Sequence, residues 1–316
     1  MYLTTKRKGK IMNSINTNSQ SSQNSKSDAH QTACEKGDIY TTITNKIIEA
    51  LEAGTAPWVK PWASLGAPRN AITKREYSGI NTILLAMTTF SSNQWLTYNQ
   101  ARAAGGQVRK GEKGTTVVFF KPLTIKDKSE QAEDEKVIPL LRSFTVFNTQ
   151  QIEGLPESFI QTIKPQINEF ADNETAEMLL VQANITHGSN RACFIPSRDE
   201  IHLPNKTEFK NVSDYYATAL HELTHWTGHK SRLARDFSGR FGDGAYAFEE
   251  LIAELGAAFL CASSGVDGQL QHDSYIASWL KVLKNDKKAI FTAAAAARKS
   301  TEFLTRQEEE QEQAAA

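Results

Sequence analysis

In the run His221-Glu222-Leu223-Thr224-His225, two imidazoles stand four residues apart and a carboxylate follows the first of them. On an α-helix, residues four apart lie on one face, one above the other. Both rings can then offer a nitrogen to a single cation at about 2.0–2.1 Å. Glu222 falls on the flank of that face, where it can take a proton from a water that the cation has polarised. Chance supplies HExxH in a chain of this length on the order of once in a hundred, from ordinary residue frequencies. The competing reading is two histidines packed in a helical core, but a helix is where the chemistry needs them. In "DYYATALHELTHWTG", Tyr216, Leu220 and Leu223 form a core face, Ser213 or Asp214 stands at the N-terminal cap, and Gly228 ends the helix.

Two histidines do not hold zinc by themselves, so a third ligand is required. The metzincin pattern HExxHxxGxxH is excluded: Gly228 is in place, but Ser231 stands where the third histidine belongs. The other route is a carboxylate on a following helix. "YAFEELIAELGAAF" offers Glu249, Glu250 and Glu254 among apolar residues. Glu250 and Glu254 are four apart and share a face. They resemble the gluzincin arrangement, in which one Glu binds the metal and an acidic residue one turn later supports a ligand histidine, fixing its tautomer and orientation. Glu250 is read as the ligand and Glu254 as the support, with swapped roles as the alternative. His229, just past the helix end, is open between a surface histidine, a substrate-site donor and an extra ligand. Tyr246 is open between an oxyanion donor and a packing tyrosine. A His/His/Glu set accepts Zn²⁺ or another divalent ion such as Mn²⁺.

The elements that must position these groups follow from periodicity. Downstream, "EFADNETAEMLLVQAN" reads as a helix and "ACFIPSRDEIHLP" as a hairpin. The motif helix spans about 213–227, another about 245–263, and "YIASWLKVLKNDKKAIFTAAAAARKSTEFLT" closes the domain as two more. Upstream, residues 39–53 form a helix stopped by Gly54, and "GINTILLAMTTF" and "TYNQARAAGG" are further helices. "TTVVFFKPLTI" and "VIPLLRSFTVFN" are β-branched and aromatic, as paired strands should be. The charged "KDKSEQAEDEK" between them is a solvated loop. Prolines exclude regular structure from "TAPWVKPWASLGAPRNA", and "QQIEGLPESFIQTIKPQ" reads as a connection between domains.

The net charge of +0 hides an asymmetry. From Lys60 to Lys121 there are nine Lys and Arg residues against two acids, Glu76 and Glu112. Trp58, Trp62, Tyr77, Trp95 and Tyr98 interleave with Lys60, Arg69, Lys74, Arg75, Arg109, Lys110 and Lys113. A basic groove with aromatic platforms is how proteins grip single strands without reading sequence. Gly111 and Gly114 around Lys113 would let the backbone approach a phosphate. The bland alternatives are core tryptophans and a simple hairpin turn in "RKGEKG".

Bulk properties set the frame. A length of 316 residues suggests about two domains. Residues 1–36 are polar with almost no large apolar side chains, and read as a disordered tail. No apolar run is long enough to cross a bilayer, and no signal-peptide core follows the first basic residues. Cys34, Cys193 and Cys261 are odd in number and far apart, which fits a reducing cytoplasm rather than a disulfide scaffold.

Several long runs together are recognisable. "APWVKPW", "YSGINTILL", "WLTYNQARAAGGQVRKGEKGTTVVFF", "FTVFNTQQIEGLP", "HELTHWTGHKSRLARDF" and "YAFEELIAELGAAF" resemble, in order, the ArdC family of plasmid-borne anti-restriction proteins. The resemblance covers about residues 37–305. It implies an α+β chain, with a small α/β domain binding single-stranded DNA over 37–155 and a mainly helical zincin-like metallopeptidase domain over 156–305. A tail at 1–36 and a charged tail at 306–316 flank them. The family's metal site carries over onto His221, Glu222, His225 and one of Glu250 or Glu254. The resemblance further implies protection of incoming conjugative DNA from host restriction. Single-stranded DNA is the expected partner, duplex DNA a second one to test, and a protein of the restriction machinery the expected peptidase substrate. The N-terminal unit also resembles one found in TraC-type plasmid primases, though no primase motif is present. The long polar leader and the charged insert near 126–136 depart from the family and touch no site residue.

Overall fold

A computed structural model describes residues 38–54, 56–58, 66–126, 135–159, 172–237, 244–267 and 273–315. The leader, Lys60, Trp62 and the centre of the charged insert lie outside the described residues. Helix α1 (Ile39–Glu52) begins where the Asp38 side chain accepts a hydrogen bond from Tyr40 N–H, and it buries Ile43, Ile47 and Leu51 along one stripe. The two strands expected from β-branched and aromatic runs form a long ribbon. β4 (Thr115–Lys126) pairs antiparallel with β5 (Glu135–Asn148), from Thr115 opposite Val146 to Lys126 opposite Glu135. β2 (Gln94–Thr97) adds antiparallel to β5, and the two-residue β1 (Arg69–Asn70) adds parallel to β2, giving the order β1-β2-β5-β4. β1 falls in the segment where prolines predicted no regular structure, and it is only two residues long.

Helix α2 (Ile80–Ala86) docks on this sheet through Asn81. Its Nδ2 donates to Val118 O and its Oδ1 accepts from Val118 N–H, both at 2.8 Å, so a buried amide satisfies an otherwise open strand position. Helix α3 (Tyr98–Ala103) opens on a capping box formed by Thr97 and Gln100. β3 (Gln107–Val108) and β6 (Ile152–Glu153) make a separate two-stranded sheet.

The second half is largely helical. α4 (Glu174–Leu180) precedes a three-stranded sheet of order β7-β9-β8, where β7 is Asn184–His187, β8 Cys193–Ile195 and β9 Glu200–Leu203. β8 and β9 are the expected hairpin. β7, parallel to β9, was not legible because its residues are mostly exposed and lack alternation. Then come α5 (Val212–Thr227), α6 (Gly244–Ser264), α7 (Asp273–Asn285) and α8 (Ala289–Ala315). α5 starts one residue earlier than expected, and its cap is Asn211, whose Oδ1 accepts from Asp214 N–H at 2.8 Å; neither Ser213 nor Asp214 caps it. α8 runs without a break into the stretch read as a charged tail.

Two large hydrophobic clusters, beside two smaller ones in the N-terminal half, organise the described residues. One joins α1, Trp58 and α2 to α6, α7 and α8. The other packs α5 between α4, the three-stranded sheet and the far end of α6. All described residues belong to one contact unit.

Candidate metal centre

α5 and α6 lie against each other, and the contact is close because Gly256 of α6 faces Thr224 of α5. A Cβ on Gly256 would meet Thr224 Oγ1 at 2.7 Å. This proximity sets the site. His221 and His225 stand one turn apart on α5 with ring centroids 4.9 Å apart. From α6, Glu250 places Oε2 3.6 Å from His221 Nε2 and Oε1 3.7 Å from His225 Nε2. All three residues are buried, and a ligand atom from each lies within 4.8 Å of the others. Ligand atoms about 2.1 Å from a tetrahedral ion stand about 3.4 Å from one another. The donor set therefore fits a divalent cation with only small side-chain adjustment.

The electrostatics agree. Burial works against charge on His225, but Glu249, Glu250 and Glu222 outweigh it and push the imidazole up to about 10. Burial would raise Glu250, but the two imidazoles hold its carboxyl well below the usual range. Positive charge is strongly favoured between these groups.

Support for the ligands comes from Glu249, to which the spacing argument assigned no role. Its Oε1 lies 3.2 Å from His225 Nδ1, the ring nitrogen that faces away from the cluster. Arg235 holds Glu249 in turn, with Nη2 2.8 Å from Oε1 and Nε 3.0 Å from Oε2. The same guanidinium donates to Thr224 O at 2.6 Å and to Ser300 Oγ at 2.8 Å, tying α5, α6 and α8 together. Glu254, read as the support, is buried one turn further along α6. Its charge adds to burial in pushing the Cys261 thiol up to about 12.

Glu222 accepts a hydrogen bond from Phe194 N–H of β8 at 2.7 Å through Oε2. β8 is one of the two edge strands of its sheet, and it borders a cavity of about 650 Å³. His221, Glu222, His225 and Glu250 all line that cavity. Tyr246 and Tyr275 also line it, with hydroxyls 3.3 Å apart. Burial, Tyr275 and Glu250 keep the Tyr246 phenol protonated far above its usual range. His229 lies apart from the three ligands; its Nδ1 is 2.8 Å from Ser231 Oγ and its ring packs edge-on against Phe194.

The residues selected for nucleic acid separate into two groups. Trp58 and Trp95 are 2% and 1% exposed, packed edge-to-face on Trp279 and Phe90, so neither offers a ring to a base. Tyr98 is 43% exposed and Tyr77 half-buried. Arg75, Arg109, Lys110 and Lys113 are exposed, and Arg109 pairs with Glu112 at 2.5 Å. The open rings that sequence reasoning passed over are Phe119, Phe120 and Phe144.

An HExxH helix closed by a glutamate from the next helix, above a cleft edged by a strand, defines a zincin-like metallopeptidase domain. Residues 174–296 match the family described as a zincin-like metallopeptidase, and residues 37–147 match the N-terminal domain of anti-restriction factor ArdC. The crystal structure of the metal-free antirestriction ArdC protein from plasmid R388 is 44% identical, with a TM-score of 0.74, covering 86% of this chain and 98% of that one. Its Mn(II)-bound form matches with a TM-score of 0.70 at 41% identity and the same coverage. The chain belongs to the ArdC family of anti-restriction proteins. An uncharacterized protein of Sinorhizobium fredii, y4eC, is 37% identical over 274 residues, 81% of this chain and 88% of that protein. Two proteins named DNA primase TraC from Escherichia coli are each 40% identical over 82% of this chain, which spans only 26% and 19% of their lengths. Among the described residues, no helix is long and apolar enough to cross a membrane.

Proposed function

We propose that this chain is a cytoplasmic DNA-binding anti-restriction factor, carried by a plasmid or other mobile element. Its 37–155 region grips single-stranded DNA, and its 156–305 region is a metal-dependent peptidase acting on a protein of the host restriction machinery. The observation that carries the peptidase reading is the position of Glu222 on the same cavity wall as the His221–His225–Glu250 cluster, beside an edge strand.

His221, His225 and Glu250 would hold the cation, Zn²⁺ or Mn²⁺. A divalent ion there supplies Lewis acidity for a carbonyl and for water. Glu222 takes the proton from the attacking water and returns it to the leaving amine. The Phe194 N–H holds one carboxylate oxygen of Glu222 and leaves the other to move that proton. Edge strand β8 can align an extended peptide by main-chain pairing. Tyr246, kept protonated and held by Tyr275 and Glu250, would be the donor to the developing oxyanion.

Glu222→Gln should leave fold and metal content unchanged and reduce cleavage of fluorescent casein, assayed with Mn²⁺ or Zn²⁺, by at least about a hundredfold. A variant as active as the parent overturns the mechanism. For the DNA reading, gel-shift titration of the full chain with single-stranded and duplex oligonucleotides over a salt series should show binding that weakens as salt rises. Absence of binding at low salt leaves only the peptidase.

A further inference from the structure

Two of the open rings of the N-terminal sheet, Phe119 and Phe144, lie on one face and line a second cavity, while Phe120, the next residue along the strand, belongs to the other face. Residues directly across a strand pair share a face, and so do residues two apart along one strand. Val117, Phe119, Arg142, Phe144 and Val146 are therefore together, because Phe119 pairs with Arg142 and Val117 with Phe144. Val117 and Val146 are buried, while Phe119 and Phe144 are 46% and 48% exposed, edge-to-face with centroids 5.4 Å apart. A cavity of about 420 Å³ opens between these rings and the side chains of Asn70, Tyr77 and Gln100. A neighbouring cavity of about 440 Å³ shares Asn70, Tyr77 and Phe119 with it and is rimmed by Arg75. Arg142 lines the first cavity and Arg75 the second, which sets a guanidinium at each of them.

The polar end of the first cavity has a fixed sense. Gln100 Oε1 accepts from the Thr97 backbone N–H at 2.9 Å, which sets the amide's orientation, since only oxygen can accept there. The same oxygen accepts from Asn70 Nδ2 at 3.0 Å. Asn70 Oδ1 is taken up by the N–H groups of Ile72 and Thr73, both at 3.0 Å. Gln100 Nε2 is then left to face an incoming group, and it can only donate. Tyr77 lines the same cavity, and burial raises its phenol above the usual range against the lowering effect of the Asn70 hydrogen bond.

We propose that this cavity receives one unstacked base of single-stranded DNA, seated against Phe119 and Phe144, and that it favours keto bases. Thymine and guanine present carbonyl oxygens to the Gln100 donor, whereas cytosine and adenine place an amine at the equivalent edge. Arg142 and Arg75 neutralise the phosphates on either side. The proposal rests on the single-strand reading above and names where that strand is held.

The test uses the full chain and fluorescence anisotropy with labelled dT and dC dodecamers, both pyrimidines, at neutral pH. The dT oligonucleotide should bind about tenfold more tightly. Gln100→Glu keeps the oxygen that caps α3 and turns the donor into an acceptor, so the dT-to-dC preference should vanish. The exposed pair changed together, Phe119→Ala with Phe144→Ala, should weaken both oligonucleotides by roughly tenfold or more with unfolding unchanged. Should that pair bind as the parent does, the cavity is not the seat, although the single-strand reading stands. Equal dT and dC affinity in the parent, or a preference that survives Gln100→Glu, overturns base selection. If the parent binds neither oligonucleotide at low salt, the single-strand reading and the seat fall together.

Discussion

The residue that most shapes the centre without touching the cation is Glu249. Carboxylates on the outer nitrogen of a ligand histidine fix its tautomer and raise its basicity, and removing one typically weakens metal binding about 10–100-fold. Glu249→Gln should lower Mn²⁺ affinity by that factor in calorimetry, and His225→Ala should abolish binding. The charge balance also gives a pH dependence. Without an ion, His225 keeps its proton up to about pH 10, so binding near pH 7 must expel that proton. Affinity should rise with pH up to that range and fall as the solution is acidified. Calorimetry in buffers of different ionisation enthalpy should register proton release on metal uptake, and a pH-independent affinity would refute the assignment. At this scale helical spacing puts His221 and His225 on one face with Glu222 at its flank, whereas Glu250, on another helix, came from the likeness to the gluzincin arrangement. The sequence was silent about Glu249 and Arg235, because the rotation of one helix against another decides which of two adjacent glutamates reaches which nitrogen.

Helices α5 and α6 carry the ligands on separate rods, so their separation is itself a site parameter. Gly256 permits the approach, and the side chain of Thr224 fills the space a Cβ would need. Gly256→Ala should overpack the contact by about 1–3 kcal/mol, despite alanine's better helix propensity. Denaturant unfolding should show the loss, together with weaker Mn²⁺ binding that a mere stability defect would not produce. The β4–β5 ribbon shows the opposite balance of legibility. Its strands were readable from β-branched and aromatic content, but its register was not, because pairing depends on how the chain turns between them. Without register, the juxtaposition of Phe119 with Phe144 was invisible, and the tryptophans drew attention instead. Trp58 and Trp95 are the largest buried side chains of that half among the described residues, and burying them outweighs any use as platforms.

Over the whole molecule, the two halves expected from composition meet in a common core. Ile43, Ile47 and Leu51 of α1, with Trp58, pack among Leu251, Leu255, Trp279, Leu283 and Ile290. Trp58→Ala should therefore cost about 3–5 kcal/mol and lower Tm, although it lies in the half read as a nucleic-acid module. A fragment ending at residue 155 should lose the partners of α1 and unfold at lower denaturant than the intact chain. The main helices, the β4–β5 pair, the β8–β9 hairpin and the class of each half followed from periodicity and from the family resemblance, whereas the short strands β1, β2, β3, β6 and β7 did not. The shared core did not, since nothing local in α1 specifies what covers its apolar stripe.

The hydrogen bond from Thr44 Oγ1 to Lys287 O, 2.8 Å long, spans 243 positions of chain. During synthesis, the opening helix emerges with its apolar stripe uncovered until the ribosome has delivered the partners that close over it. Contacts this remote in sequence slow folding and prolong exposure of sticky intermediates. Closing the Thr44–Lys287 contact must await α7 and α8, so the length of chain between them and α1, more than the strength of the bond, governs how long the α1 stripe stays uncovered.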